Sequence, residues 1–363
     1  MKTKFIVKYF PYFLFLYHLG FAWVAYDYVN QNNGDAVKYW FVGSNMENLE
    51  WISFLKPGTE FIQFITFPFV KFLHLPGWAG CLLFSAFSGI GFLKLWKLAK
   101  EISFHKSNFL FFFMLFLLLP NTHFWTSLIG KEAILFWPVV HICSQLYKKE
   151  FFTWSVWISF FMIAWIRPHF AFVVFLAYLI AIIWKGRTSI RIKFLLGISG
   201  ILLSIALYFL LAEITNAQIP LIQKIENLYA AHNFKLKGTA AYVPMEEYIY
   251  PYKMFTFYFR PILFERPGML YQLIGLENLI LLGFFIGILY GTIRYWKKLK
   301  CSVFQLFAVL LLILYGTMLV YGYANFGLII RSKSLVFPVI LMLGISVLQE
   351  FRCHCDSKFS FRA

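Results

Sequence analysis

Charge is what this chain has least of: Asp, Glu, Lys and Arg together make up 13% of its 363 residues. Acids are the scarcer sign, 16 against 33 lysines and arginines. A water-soluble domain needs far more charge to cover its surface, so that class is excluded. Cysteine is sparse too, with five residues. Cys81 and Cys143 lie in apolar runs, and Cys301, Cys353 and Cys355 lie beside basic loops, so no disulfide framework is spelled out. Cys353-His354-Cys355 is tighter than the usual zinc-binding cysteine pair and reads as an ordinary tail. No repeat, low-complexity tract or long linker interrupts the chain, which argues for a single membrane domain over 1–363. A removable leader is not expected either. Lys2, Lys4 and Lys8 precede a long apolar run, but Trp23 occupies a small-residue position before a cut after Ala25. The run reads as a retained first span.

What is abundant is apolar and aromatic: 61% hydrophobic residues and 22% Phe, Trp and Tyr. That content implies an all-α, polytopic transmembrane helix bundle. Apolar runs of about 15–22 residues, matched to bilayer thickness, predict about ten spans. They lie near 9–26, 78–96, 108–121, 131–147, 151–166, 170–185, 194–212, 275–293, 302–322 and 334–349. The excess of aromatic residues over what interfacial belts need places many of them between helices or along a cavity.

The net charge of +17 does not signify nucleic acid, because the basic residues sit in short connections between apolar runs. Lys94/Lys97/Lys100, Lys148/Lys149, Arg187/Arg191 and Lys297/Lys298/Lys300 mark every second connection. The rule that such loops stay inside predicts that both termini are cytoplasmic. All acids except Glu101, Glu150, Glu350 and Asp356 then fall on the other side, with the irregular segments 27–77, 122–130, 213–274 and 323–333. Segment 47–75 mixes apolar residues with Glu47, Glu50, Lys56, Glu60 and Lys71, as an amphipathic interfacial helix does. Segment 213–274 is long enough for a small external lobe.

On that outer side, Asp35 stands in Gly34-Asp35-Ala36-Val37-Lys38-Tyr39, just past the first span. Charge beside a bilayer is costly, which marks such a carboxylate as a candidate for chemistry. A carboxylate is a general base for an attacking hydroxyl; alternatively Asp35 caps the short helix that follows it. Cations for a phosphate are Arg331, Arg260, Arg167, Lys131, Arg266 and Lys333. Arg331 leads because no acid lies near it in sequence; Lys131 with Glu132, and Glu265 with Arg266, are adjacent pairs that can neutralise one another. His123 and His169 lack a second ligand at metal spacing and read as hydrogen-bonding side chains. Tyr242, Tyr248, Tyr250, Tyr252 and Tyr258 are either sugar-stacking residues or an aromatic belt.

A cytoplasmic N-terminus, one span, an acid in an early external loop and a bundle of short-looped spans resemble the GT-C superfamily of membrane glycosyltransferases. The resemblance is architectural over most of the chain and covers few residues at motif level. It implies catalysis by Asp35 and a polyprenyl-phosphate-linked sugar or lipid-linked glycan as partner. It also implies residence in a bacterial-type inner membrane. Many members carry paired acids here, whereas this chain has Asp35 alone, with Asp27 eight residues earlier. The cofactor is therefore open, a divalent metal being one candidate without a clear ligand cluster; oligomeric state is not legible. Two other readings stand beside it. An O-antigen-type polysaccharide polymerase relies on external arginines, and a flippase for lipid-linked sugars predicts related halves and mid-bilayer charge.

The topology is testable by reporter fusions after residues 45, 102, 240 and 298. Alkaline phosphatase is expected active at 45 and 240 and silent at 102 and 298. An active cytoplasmic reporter at 240 would put segment 213–274 in the wrong compartment and sink the whole map.

Overall fold

Helix signals in the sequence are realised where the chain starts and stops its apolar runs. Ser302 and Gln305 form a reciprocal cap: the Gln305 amide donates to Ser302 Oγ at 3.1 Å and the Ser302 amide donates to Gln305 Oε1 at 2.9 Å. Helix α14 (Val303–Val320) follows from it. Prolines open two others, α6 (Pro120–Ser127) and α9 (Pro168–Lys185), where a missing amide donor has no cost. Lys149, with φ of 62°, closes α7 (Lys131–Lys148) in the left-handed conformation.

The computed structural model describes residues 2–32, 34–40, 50–102, 107–214, 221–295, 297 and 301–360, with only the backbone at 2–5, 107–109, 206–208, 210–214, 221, 222, 225, 295 and 351–360. Among the described residues the architecture is all-helical apart from one isolated bridge, Tyr242 to Asn325. The remaining helices are α1 (Lys2–Gln31), α2 (Asp35–Trp40), α3 (Thr59–Phe67), α4 (Gly77–Ile102), α5 (Ser107–Leu117) and α8 (Trp154–Ile166). After α9 come α10 (Ile190–Ile214), α11 (Leu221–Leu236), α12 (Tyr250–Phe259), α13 (Met269–Tyr295), α15 (Phe326–Lys333) and α16 (Phe337–Ser360). The chain divides into two compact units, one of residues 1–172, 287–299 and 334–363, the other of 173–286 and 300–333.

Four described helices are long and apolar enough to cross a membrane: Gly77–Ile102, Pro168–Lys185, Met269–Arg294 and Val303–Val320. Two broken pairs, Leu110–Leu117 with Pro120–Ser127 and Phe326–Lys333 with Phe337–Glu350, raise the number to six if each is one span. These account for the expected spans at 78–96, 108–121, 170–185, 275–293, 302–322 and 334–349. The others are helical but differ in quality. Region 9–26 lies in α1, where His18, Trp23 and four tyrosines dilute the apolar content. Helix α7 carries Lys131, Glu132, His141, Gln145 and Lys148 within its 18 residues. Helix α8 has 13 residues, about 20 Å at helical rise, against a hydrocarbon core of about 30 Å. The span at 194–212 runs partly over side chains outside the described residues.

In the first unit α4 packs against α1, α6 and α7, and α7 against α8. Three glycines make those approaches possible. A Cβ on Gly80 would stand 2.7 Å from the Trp40 ring, one on Gly89 2.7 Å from Phe15, and one on Gly91 2.7 Å from Phe136. Small residues let neighbouring elements close on α4, as they do between membrane helices. The expected outer connection 122–130 is largely α6, with Thr122, His123, Thr126 and Ser127 buried rather than at a surface. A polar ladder explains how they tolerate it. Ser88 Oγ reaches the Thr126 carbonyl at 2.7 Å and His18 Nε2 at 2.7 Å. His18 Nδ1 meets His123 Nδ1 at 2.9 Å, and His123 Nε2 donates to the Leu117 carbonyl at 2.6 Å.

In the second unit α12 packs against α14 and α15. The expected external lobe, 213–274, belongs to this unit and is mostly helix, with 215–220 outside the described residues. Tyr258 donates to the Leu312 carbonyl at 2.5 Å, and Met254 and Tyr258 crowd Gly316 of α14.

Because Trp40 sits in the notch at Gly80, Gly80→Val is expected to dislodge α2 as well as loosen α4. Overpacking of this kind costs about 1–3 kcal/mol. Hydrogen exchange should accelerate at residues 35–40 more than across α8. Unchanged exchange at 35–40 would show that the notch does not hold α2.

Candidate functional site

The expected site residues divide between the two units, three in the first and four in the second. In the first unit Asp35 opens α2, a six-residue helix that buries Ala36, Tyr39 and Trp40 and leaves Asp35 exposed. The helix is held by its backbone and its aromatic end. Thr66 Oγ1 donates to the Tyr39 carbonyl at 2.6 Å, and Gln63 Nε2 donates to the Lys38 carbonyl at 3.1 Å. Trp40 Nε1 donates to the Leu75 carbonyl at 3.3 Å. The carboxylate is thus an exposed group on a docked support. Its place in the first turn also suits the positive end of the helix dipole.

The segment beneath α2 is amphipathic. Trp51, Ile52, Leu55, Phe72 and Leu73 are exposed, while Phe54 and Phe67 pack on each other. This segment reaches α8: the Gly58 amide donates to the Trp165 carbonyl at 2.8 Å, and Phe61 meets the Trp165 ring edge-on at 6.0 Å. Two residues beyond Trp165 lies Arg167, at the break between α8 and α9 that Pro168 enforces. Arg167 Nη2 pairs with Glu132 Oε1, the carboxylate being 2% exposed. Glu132 thus finds a cation 35 positions away, at the opposite helix junction. Lys131, half-buried, begins α7 beside it. His169 is exposed at the start of α9.

In the second unit, Arg260 follows α12 and has all three guanidinium nitrogens engaged. Nε donates to Glu265 Oε1 at 2.8 Å, Nη2 bonds the same oxygen, and Nη1 donates to Thr256 Oγ1 at 3.1 Å. Its planar face is covered by Tyr252 at 5.3 Å, Tyr248 at 5.5 Å and Phe326 at 5.6 Å. Burial works against the charge, but Glu265 and Tyr248 outweigh it and hold the guanidinium above its ordinary pKa. Glu265 therefore pairs with Arg260 rather than with its neighbour Arg266. Arg266 turns away to the carbonyls of Ala240, at 3.2 Å, and Tyr242, with Phe326 at 5.5 Å from its guanidinium. The local turn explains the exchange. Phe264 takes a φ of 62°, and the Glu265 carboxylate accepts the Ile262 amide at 2.9 Å, which folds it back toward Arg260.

Lys333, at the end of α15, is 2% exposed; Nζ bonds Asn278 Oδ1 and the Tyr258 carbonyl, the latter at 3.3 Å. Asn278 in turn donates to the Pro261 carbonyl at 2.8 Å, and buried Glu277 adds an opposite charge. Arg331 is half-buried on the same helix. Of the five tyrosines expected to stack on sugar or form a belt, Tyr248 and Tyr252 face Arg260, and Tyr258 is buried. Tyr250 shares a 2.6 Å hydrogen bond with Thr317.

Sequence reasoning overlooked His18 and Ser88, the centre of the ladder between α1, α4 and α6. A histidine inside an otherwise apolar run was the available signal. Among the described residues no group of three or more His, Cys, Asp or Glu side chains could hold a metal ion; the side chains of Cys353, His354 and Cys355 lie outside them. No protein-family model matches the chain, no curated protein matches it, and no solved structure matches it.

The Glu132–Arg167 pair gives a direct test of the first unit. Removing one partner of a buried ion pair leaves an uncompensated charge and costs about 3–5 kcal/mol, whereas an apolar pair of similar volume restores most of that. Glu132→Met alone is expected to lower the thermal midpoint of purified protein, and Glu132→Met with Arg167→Met to recover it. Equal losses in both would show that the pair does more than bridge the two junctions.

Proposed function

We propose that the chain is a membrane glycosyltransferase. It would move a sugar from a polyprenyl-phosphate-linked donor to a cell-surface glycan or lipid-linked acceptor. The observation that carries this reading is Asp35: an exposed carboxylate on a docked helix above a segment with apolar side chains turned outward. Such a segment suits the interface where a lipid-borne substrate presents its head. The reading includes about ten spans with both termini cytoplasmic, in an inner membrane of bacterial type.

The chemistry follows from the side chain. An acceptor hydroxyl gives its proton to the Asp35 carboxylate as its oxygen bonds the anomeric carbon. The bond from that carbon to the phosphate oxygen breaks, and the polyprenyl phosphate leaves with the electron pair. A cation stabilises the charge on that leaving group. We assign Arg331 this role, because a guanidinium fork suits a phosphate and no acid lies near it in sequence. A second reading, a polysaccharide polymerase, is favoured by one feature: Arg260 and Arg266 lie together around Phe326.

Membranes carrying matched amounts of each variant, supplied with radiolabelled polyprenyl-phosphate sugar, separate the readings. Asp35→Asn keeps capping ability but cannot take a proton, so transfer should fall by about a hundredfold or more, and Asp35→Ala equally. Arg331→Ala should cost about 2–4 kcal/mol of transition-state stabilisation, with Arg331→Lys intermediate. Near-normal transfer by Asp35→Asn, with loss in Asp35→Ala, would leave Asp35 a cap and turn the case toward the polymerase.

A further inference from the structure

The turn that leads into α13 is built the wrong way round for water. Between 261 and 280 every exposed position is apolar, proline or glycine, led by Phe264 at 87% and Met269 at 79%. Phe264 is the most exposed large apolar side chain among the described residues. The polar members of the turn are half-buried and engaged within the protein. Glu265 pairs with Arg260, Arg266 reaches the carbonyls of Ala240 and Tyr242, and Gln272 serves the turn itself. A turn in water shows the opposite arrangement, with its polar residues outward.

Its backbone is wired for a place without water. The Phe264 amide donates to Gln272 Oε1 at 2.8 Å, and Gln272 Nε2 donates to the Arg266 carbonyl at 2.7 Å. The Ile262 amide donates to Glu265 Oε2 at 2.9 Å, and Asn278 Nδ2 donates to the Pro261 carbonyl at 2.8 Å. Solvent meets such groups on an ordinary surface turn, whereas in hydrocarbon a non-helical backbone needs partners from the protein. The turn also rests directly on α13, since a Cβ on Gly275 would stand 2.7 Å from the Leu263 nitrogen. Phe264 holds a φ of 62°, where asparagine or glycine sits with less crowding. A phenylalanine there trades backbone ease for an outward ring.

The exposed face does not stop at the turn. It continues along α13 through Leu273, Leu276 and Ile280, and that helix is long and apolar enough to cross a membrane. An apolar surface continuous with the open face of such a helix meets the same medium, which is lipid. We propose that residues 261–270 form a wedge set among the acyl chains of the bilayer at the head of α13, with Phe264 and Met269 as its leading edge. Segment 213–274, expected as an external lobe, then has one edge in the membrane. The inference stands apart from Asp35 and does not depend on the transferase reading.

The test places a nitroxide at single cysteines in the full-length chain, reconstituted in phosphatidylcholine liposomes, on a Cys301→Ser, Cys353→Ser, Cys355→Ser background. Collision with oxygen, which concentrates among acyl chains, and with a water-soluble nickel chelate reads the medium at each site. Phe264→Cys and Met269→Cys should match Leu273→Cys, open to oxygen and closed to nickel. His232→Cys, exposed on α11, should be open to nickel. Nickel collision at 264 equal to that at 232 would place the turn in water. Closure of 264 to both reagents would place it against a second copy or another protein. Either result overturns the wedge. Phe264→Asn gives a reading that does not rest on the label, because asparagine relieves the left-handed crowding but puts an amide where the ring was. In phosphatidylcholine nanodiscs its thermal midpoint should fall by about 2 °C or more, the loss of apolar burial and the desolvated amide outweighing the relief. An unchanged or raised midpoint would show that the ring faces water, and the wedge would not exist.

Discussion

Polar side chains within apolar helices have no solvent to fall back on, and the internal pairing of those groups organises this chain. His18, Ser88 and His123 tie three helices through one ladder that ends on backbone carbonyls at both sides. Both end groups must point a proton outward, so the four links need four protons where three neutral side chains carry three. Ser88 has one hydrogen to give, to His18 Nε2 or to one of the carbonyls of Thr126, Phe84 and Ser85, so with both histidines neutral one of the four approaches carries no proton. Desolvation favours that neutral arrangement over a buried cation with no carboxylate beside it.

The same constraint sorts the cations expected to bind a substrate. Arg260, Arg266 and Lys333 are committed to groups of their own unit, and Arg167 to Glu132. An arginine with three engaged nitrogens and aromatic rings over its face is a structural centre first. To bind a phosphate it would have to release Glu265, and the gain would be offset by an uncompensated carboxylate. Asp35 differs in kind, since its helix is fixed by backbone carbonyls while the carboxylate itself stays exposed. The proton-accepting role proposed for Asp35 would need that separation between what holds the group and what it does.

Much of the helical pattern was legible, and the reason is physical: continuous apolar runs leave the backbone one way to satisfy its hydrogen bonds. The regions 78–96, 170–185 and 275–293 fall within long apolar helices, 302–322 overlaps nearly all of a fourth, and Ser302 with Gln305 is a local cap visible in four residues. Segment 122–130 was misread as a connection because its polar residues suggest water. Their partners, His18 and Ser88, lie 105 and 38 positions away from His123 and Thr126, and no local pattern carries that. Glu132 with Arg167, and Glu265 with Arg260, were hidden for related reasons. Adjacency favours Lys131 and Arg266, whereas tertiary closure and a left-handed residue at Phe264 decide the actual partners. For the candidate site, the residue types and their helix ends were legible, but which cations are already spent was not.

The aromatic excess finds its explanation in the same interior. Phe92 stacks on His123 at 4.1 Å and on Phe136 at 4.4 Å, while Tyr17 and Phe21 close the other sides of His123. Flat rings seal a polar ladder without offering it competing donors, and a dry ladder is electrostatically stronger than a wet one. On α4, Gly91 admits the Phe136 ring and Gly80 admits the Trp40 ring from α2. The helix that carries Ser88 of the ladder therefore also seats α2, the support of Asp35. In a chain with so few charges, the buried polar residues fix the frame, and the exposed carboxylate depends on that frame for its position.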